Sequence, residues 1–136
     1  MKRILGEISN EVVEQWELHD HKNKKIVMYP EAKEHSKDRH IDDYPSVEDY
    51  YIVMDSLEEI IQKPDYVFYD KSKKGLEYFK KINSHILVAV RVDDGRELKV
   101  KSVYPVEDIK IENRKKKEEQ TKLYNKYVRE TKWEDV

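Results

Sequence analysis

The stretch His85-Ile86-Leu87-Val88-Ala89-Val90-Arg91-Val92, then Asp93-Asp94-Gly95, then Glu97-Leu98-Lys99-Val100-Lys101-Ser102-Val103-Tyr104-Pro105-Val106, decides the fold. The first run is the most apolar in the chain and reads as a central, buried strand. Asp-Asp-Gly is a turn signal. The second run alternates, which predicts Leu98, Val100, Ser102 and Tyr104 on one face and Lys99, Lys101 and Val103 on the other. Working backwards, Asn83-Ser84 marks a tight turn and Leu76–Ile82 a strand. Asp70–Gly75 is a basic loop, and Tyr66–Tyr69 another strand. Four strands with short connections predict an antiparallel meander.

Upstream the pattern is helical. Ser56-Leu57-Glu58-Glu59 has the form of a capping box, with Leu57, Ile60 and Ile61 at helical spacing and Pro64 as the stop. Asp49–Met54 is short, apolar and aromatic, and Ile41–Ser46 reads as a loop. Residues Glu31–His40 lack Gly and Pro and predict a helix, with Pro30 suited to its first position. Lys25–Tyr29 is a short strand. Residues 1–18 mix periods; Glu11–Leu18 is compatible with a hairpin partner to Lys25–Tyr29 around the polar loop His19–Lys25. Downstream, residues 112–130 predict an exposed helix docked by the stripe Leu123, Tyr124, Tyr127 and Val128. The expected fold class is α+β: N-terminal strands and helices packed on a four-stranded antiparallel meander, with a C-terminal helix. Residues 1–110 would form one domain and 111–136 a charged helix or tail.

Composition narrows the chemistry. The chain has 136 residues, of which 38% are hydrophobic and 41% charged, so its core is small and its surface ionic. Ten Tyr, two Trp and two Phe still supply enough aromatic area to fold. No cysteine is present, which excludes disulfides, a thiol nucleophile and cysteine-ligated zinc. Three glycines form neither a dinucleotide fingerprint nor a phosphate-cradling P-loop, so no cofactor is expected. A net charge of −2 excludes a uniformly basic nucleic-acid binder but not a local basic cleft. No apolar run approaches the roughly 20 residues of a membrane helix, so no membrane partner is expected. The start, MKRILGEISNEVVEQ, has no signal-peptide core, and a cytoplasmic location is expected.

The ordered motifs carry a resemblance. They are His35-Ser36-Lys37-Asp38-Arg39-His40, then Leu57–Asp65 ending in Pro-Asp, then Ile86-Leu87-Val88-Ala89-Val90, then Lys101-Ser102-Val103-Tyr104. Together they resemble the phage-associated branch of the barnase–EndoU–colicin–RelE-like ribonuclease superfamily over roughly residues 25–110. That resemblance implies a toxin-like endoribonuclease domain of phage or prophage origin, working without metal on RNA, with its site on the sheet face. It also implies partners among antitoxins, immunity proteins or phage proteins that the sequence does not identify. The alternative is a non-catalytic phage-associated interaction module on the same fold. Oligomeric state is left open.

Metal-free RNA cleavage needs a base for the 2′-OH, an acid for the 5′-oxygen and cations for the phosphorane. His35 and Arg39 are four apart and would share one helix face as a phosphate site. His40 joins His35 only if the helix ends near Arg39. His35 and His40 are the acid–base candidates; otherwise all three belong to a solvated helix face. Ser102 and Tyr104 are candidates to position the phosphate, or simply a tolerated polar strand end. Lys80 would supply a cation and Tyr78 a stacking ring, unless Lys80 only faces solvent. Arg91 would bind phosphate or pair with a structural carboxylate. His19-x-His21 would put two rings on one strand face, but lacks a third ligand and reads as a polar loop.

Overall fold

A computed structural model describes the backbone of residues 1–121 and the side chains of residues 1–117. In chain order the elements are β1 (Arg3–Glu7), α1 (Asn10–Trp16), β2 (Lys25–Met28), α2 (Pro30–His40), α3 (Val47–Asp55), α4 (Leu57–Gln62), β3 (Tyr66–Asp70), β4 (Gly75–Lys81), β5 (His85–Arg91), β6 (Glu97–Pro105) and α5 (Asp108–Thr121). Short 3-10 turns at His19–His21 and Ile41–Asp43 link α1 to β2 and α2 to α3. Among the described residues no helix is long and apolar enough to cross a membrane.

The class is α+β, but the sheet is larger than the meander. Its order is β1-β2-β6-β5-β4-β3. The antiparallel run β3-β4-β5-β6 is present, and β2 extends it by pairing parallel to β6 through Lys25–Val27 and Glu97–Lys99. β1 then closes that edge antiparallel to β2. The expected hairpin of Glu11–Leu18 with Lys25–Tyr29 is therefore wrong. The partner of β2 is Arg3–Glu7, and Glu11–Leu18 lies mostly in α1. Ser9 caps α1 by accepting from Val12 N, and Val12 and Val13 bury its inner face. β1 was hidden by an irregularity in its register around Leu5 and by Gly6, whose φ of +154° suits glycine. A Cβ there would lie 3.2 Å from Gln62 Cγ.

Asp49–Met54 belongs to α3, capped by Ser46, which accepts from Asp49 N. α3 runs almost directly into α4, so Ser56 lies between two helices. Its hydroxyl donates to Ile52 O at 2.7 Å and forms no capping box.

β6 carries the feature that matters most. Its register with β5 shifts between Ala89–Ser102 and Val90–Val100, leaving Lys101 as an extra, bulged residue. The bulge reverses the expected alternation. Leu98, Val100 and Val103 share the main core, while Tyr104 packs against the opposite cluster of Phe68, Phe79, Leu87 and Ile111. Ser102 pairs with Ala89, which borders that second cluster. α5 begins at Asp108 and covers this second face from its first turns. Ile111 is buried there, and the Arg114 guanidinium binds both oxygens of Glu77 on β4 at 2.6 and 3.0 Å. Lys115 Nζ donates to the Tyr66 hydroxyl on β3 at 2.9 Å. The stripe Leu123, Tyr124, Tyr127 and Val128 lies outside the described residues.

Candidate functional site

α2 is placed by β6. β2 pairs with β6 only as far as Lys99, and the chain then enters α2 through Tyr29 and Pro30. Pro30 fixes the first helical φ and gives up no needed donor. α2 then packs along β6, and Ser36 is the buried residue of the helix. Its hydroxyl accepts from Val103 N at 3.0 Å, filling the place of a missing strand partner. Ala32, Ser36 and His40 follow at four-residue spacing, so seating Ser36 turns His40 toward the end of β6.

There His40 stacks on Tyr104, with ring centroids 4.7 Å apart and planes at 24°. His40 Nδ1 lies 2.8 Å from Asp43 Oδ2, in the 3-10 turn that ends α2. A carboxylate only accepts, so Nδ1 carries the proton and Nε2 remains for chemistry. His40 is 23% exposed at its side chain and reachable from solvent. Lys110, in the first turn of α5, sets its Nζ 3.3 Å from the Tyr104 hydroxyl and 5.2 Å from the ring centroid. Next to it, His85 Nε2 lies 2.9 Å from Asp108 Oδ1. The result is an orienting carboxylate, an imidazole, a phenol and an ammonium gathered where β6 meets α5.

The other candidates divide. Ser102 is half-buried, two residues before Tyr104 on the same side of the sheet. His35 and Arg39 are exposed on α2, one position off the line that faces β6. Because α2 continues through His40, His35 lies about 140° around the axis from it, and the two imidazoles do not converge. Lys80 points elsewhere: its Nζ donates to Lys63 O at 2.7 Å, with Asp65 Oδ1 at 3.6 Å. Tyr78 is 1% exposed within the main core, so its ring offers no face for a base to stack on. Arg91 is exposed and on the Tyr104 side of the sheet, four residues from Leu87, the cross-strand partner of Tyr104. That places it about 13 Å along the strand from the His40 cluster. Its own cross-strand partner is Lys99, a like charge, with Asp93 Oδ2 at 3.8 Å on one flank.

Sequence reasoning missed Asp43, Lys110 and the His85–Asp108 pair. His40-x-x-Asp43 was visible as an i, i+3 spacing across a helix end. Nothing local signalled Lys110, because its approach to Tyr104 depends on how α5 folds back. His19 and His21 lie in a 3-10 turn rather than on a strand, and His21 Nδ1 is 2.9 Å from Lys24 Nζ. Burial, with the lysine charge behind it, holds His21 below the usual histidine range. Among the described residues no group of three or more His, Cys, Asp or Glu side chains is arranged to hold a metal ion.

A family model described as phage-Barnase-EndoU-ColicinE5/D-RelE like nuclease3 matches residues 2–113. No curated protein and no solved structure matches the chain significantly.

Proposed function

The chain belongs to this phage-type, nuclease-like family, and from that premise we propose that it is an endoribonuclease acting by general acid–base catalysis at His40. The observation that carries the proposal is the His40 imidazole, held through Nδ1 by Asp43 and stacked on Tyr104 beside Lys110. In the proposed reaction the 2′-oxygen forms a bond to phosphorus, the bond from phosphorus to the 5′-oxygen breaks, and one proton moves at each end. His40 Nε2 exchanges one of these protons. The Tyr104 hydroxyl, hydrogen-bonded to Lys110 Nζ, relays the other, and the ammonium stabilises charge on the phosphorane. Arg91 and Lys99, opposed on the same sheet side, bind the backbone further along the strand; two like charges face to face cost less with an anion between them. His35 and Arg39 contact the strand from the exposed flank of α2.

The direct test incubates the full chain with total RNA in EDTA between about pH 5 and 8. Wild type is expected to cleave, and His40→Ala to lose about 10²–10⁴-fold in rate. No cleavage by wild type anywhere in that range would overturn the proposal.

A further inference from the structure

Three of the six large apolar side chains exposed among the described residues sit together on the outer surface of α3: Val47 at 55%, Tyr51 at 52% and Ile52 at 45%. Val47 and Tyr51 are one turn apart, and Ile52 lies next to Tyr51, so they form one apolar strip. Their inner neighbours Tyr50, Val53 and Met54 already fill the core; Tyr51 meets the Tyr50 ring edge-on, and the outer side of the strip is left exposed.

Its own stretch of chain has one sign, and Arg3, the cation that reaches it, is taken up by Glu58 and Met54 O. Between His40 and Lys63 there is no Lys or Arg, and seven acidic residues occur: Asp42, Asp43, Glu48, Asp49, Asp55, Glu58 and Glu59. Asp43 is engaged by His40, Asp49 by Asn83 and Glu58 by Arg3. Glu48 and Asp55 flank Ile52 at helical spacing, and with Asp42 and Glu59 they form no ion pair among the described residues. An anionic rim repels nucleic acid and a second copy of the same acidic face. It complements a cationic partner.

We propose that the outer face of α3 docks a segment of another protein that folds as an amphipathic helix, with its apolar side on Val47, Tyr51 and Ile52 and Lys or Arg side chains over Glu48 and Asp55. Tyr51 would be the anchor, since an aromatic ring with a polar edge suits an apolar centre within a charged rim. The surface adjoins the Asp42-Asp43 turn that positions His40, so an occupant would sit beside the candidate site without contacting the sheet. The inference does not depend on nuclease activity.

The test uses the full chain and a fluorescein-labelled helical peptide of Leu and Lys, with a Leu/Glu peptide of the same pattern as control. Fluorescence polarisation is expected to show saturable binding of the Lys peptide, weakened by salt, and none of the Glu peptide. Tyr51→Ala with Ile52→Ser should weaken it about tenfold or more, and Glu48→Lys with Asp55→Lys should abolish it. All four positions are at the surface, and circular dichroism melts verify that the variants fold. Equal binding by wild type and variants would overturn the inference, as would no binding of the Lys peptide. Dimerisation of the wild type that Tyr51→Ala abolishes would also overturn it, by making the occupant a second copy.

Discussion

Ser36 links the fold to the candidate site through one hydrogen bond. Its buried hydroxyl satisfies the Val103 amide where β2 no longer does. Ser36→Ala would leave that amide unpaired and cost about 1–3 kcal/mol, measured by denaturant unfolding. The loss should also reduce the proposed RNA cleavage, because His40 stands one turn further along α2. The two histidines of α2 separate the site geometry from the sequence pattern. His40→Ala is expected to cost at least about 10²-fold in rate, and His35→Ala less than about tenfold. Equal losses would place the reaction on the exposed flank of α2.

Tyr44 and Tyr50 offer a pH test at the same scale. Both hydroxyls are buried and have no hydrogen-bond partner among the described residues. Burial, with the neighbouring tyrosine and acidic charges behind it, raises both above the ordinary tyrosine range. The unfolded chain loses these protons near pH 10, while the native state keeps them to higher pH. The native state therefore holds more protons there, and stability, complete below about pH 10, falls as pH rises beyond it. Thermal melts at pH 8 and 11 should show that fall. Tyr44→Phe should lessen it and raise the melting temperature at pH 8, since an unsatisfied buried hydroxyl is removed.

At the scale of elements, legibility followed how local the determining forces are. β3, β4, β5 and α2 were readable because each is set by its own apolar run or by Pro30. α1 and β1 were misread. Their signals, the Ser9 cap and a five-residue strand broken at Gly6, are weaker than the polar loop His19–Lys25 that suggested a hairpin. The face assignment of β6 failed at one residue. Lys101 looks like any exposed strand lysine, but as a bulge it moves Ser102 and Tyr104 to the second face and Val103 into the core. Only pairing with β5 reveals it. The candidate site was half legible for the same reason: His40 and Tyr104 stand out in the sequence, but Lys110 comes with the docking of α5. α5 is held to the sheet mostly by polar contacts around Ile111. The Arg114 charge is favoured by its hydrogen bonds to Glu77. Hydrogen exchange in α5 is therefore expected to quicken at high salt and in Glu77→Gln, while β5 is unaffected.

For the whole molecule, the sheet order is the informative quantity. Among the described residues β6 is the last strand in sequence, yet it lies between β2 and β5 and joins the two halves of the sheet. A chain ending at Arg96 would keep the β1–β2 and β3–β4–β5 pairings but lose the strand that unites them. It is expected to lack a cooperative thermal transition, and a native-like transition in that fragment would contradict this account. Such wiring also has a meaning in time. A ribosome delivers β6 after the other five strands described, so two unjoined halves must wait until Glu97–Pro105 emerges. His40 is synthesised before Tyr104, and they can stack only once that strand inserts. The nascent chain is thus kept without an assembled candidate site until β6 inserts, while it is still attached to the RNA-rich machine that makes it.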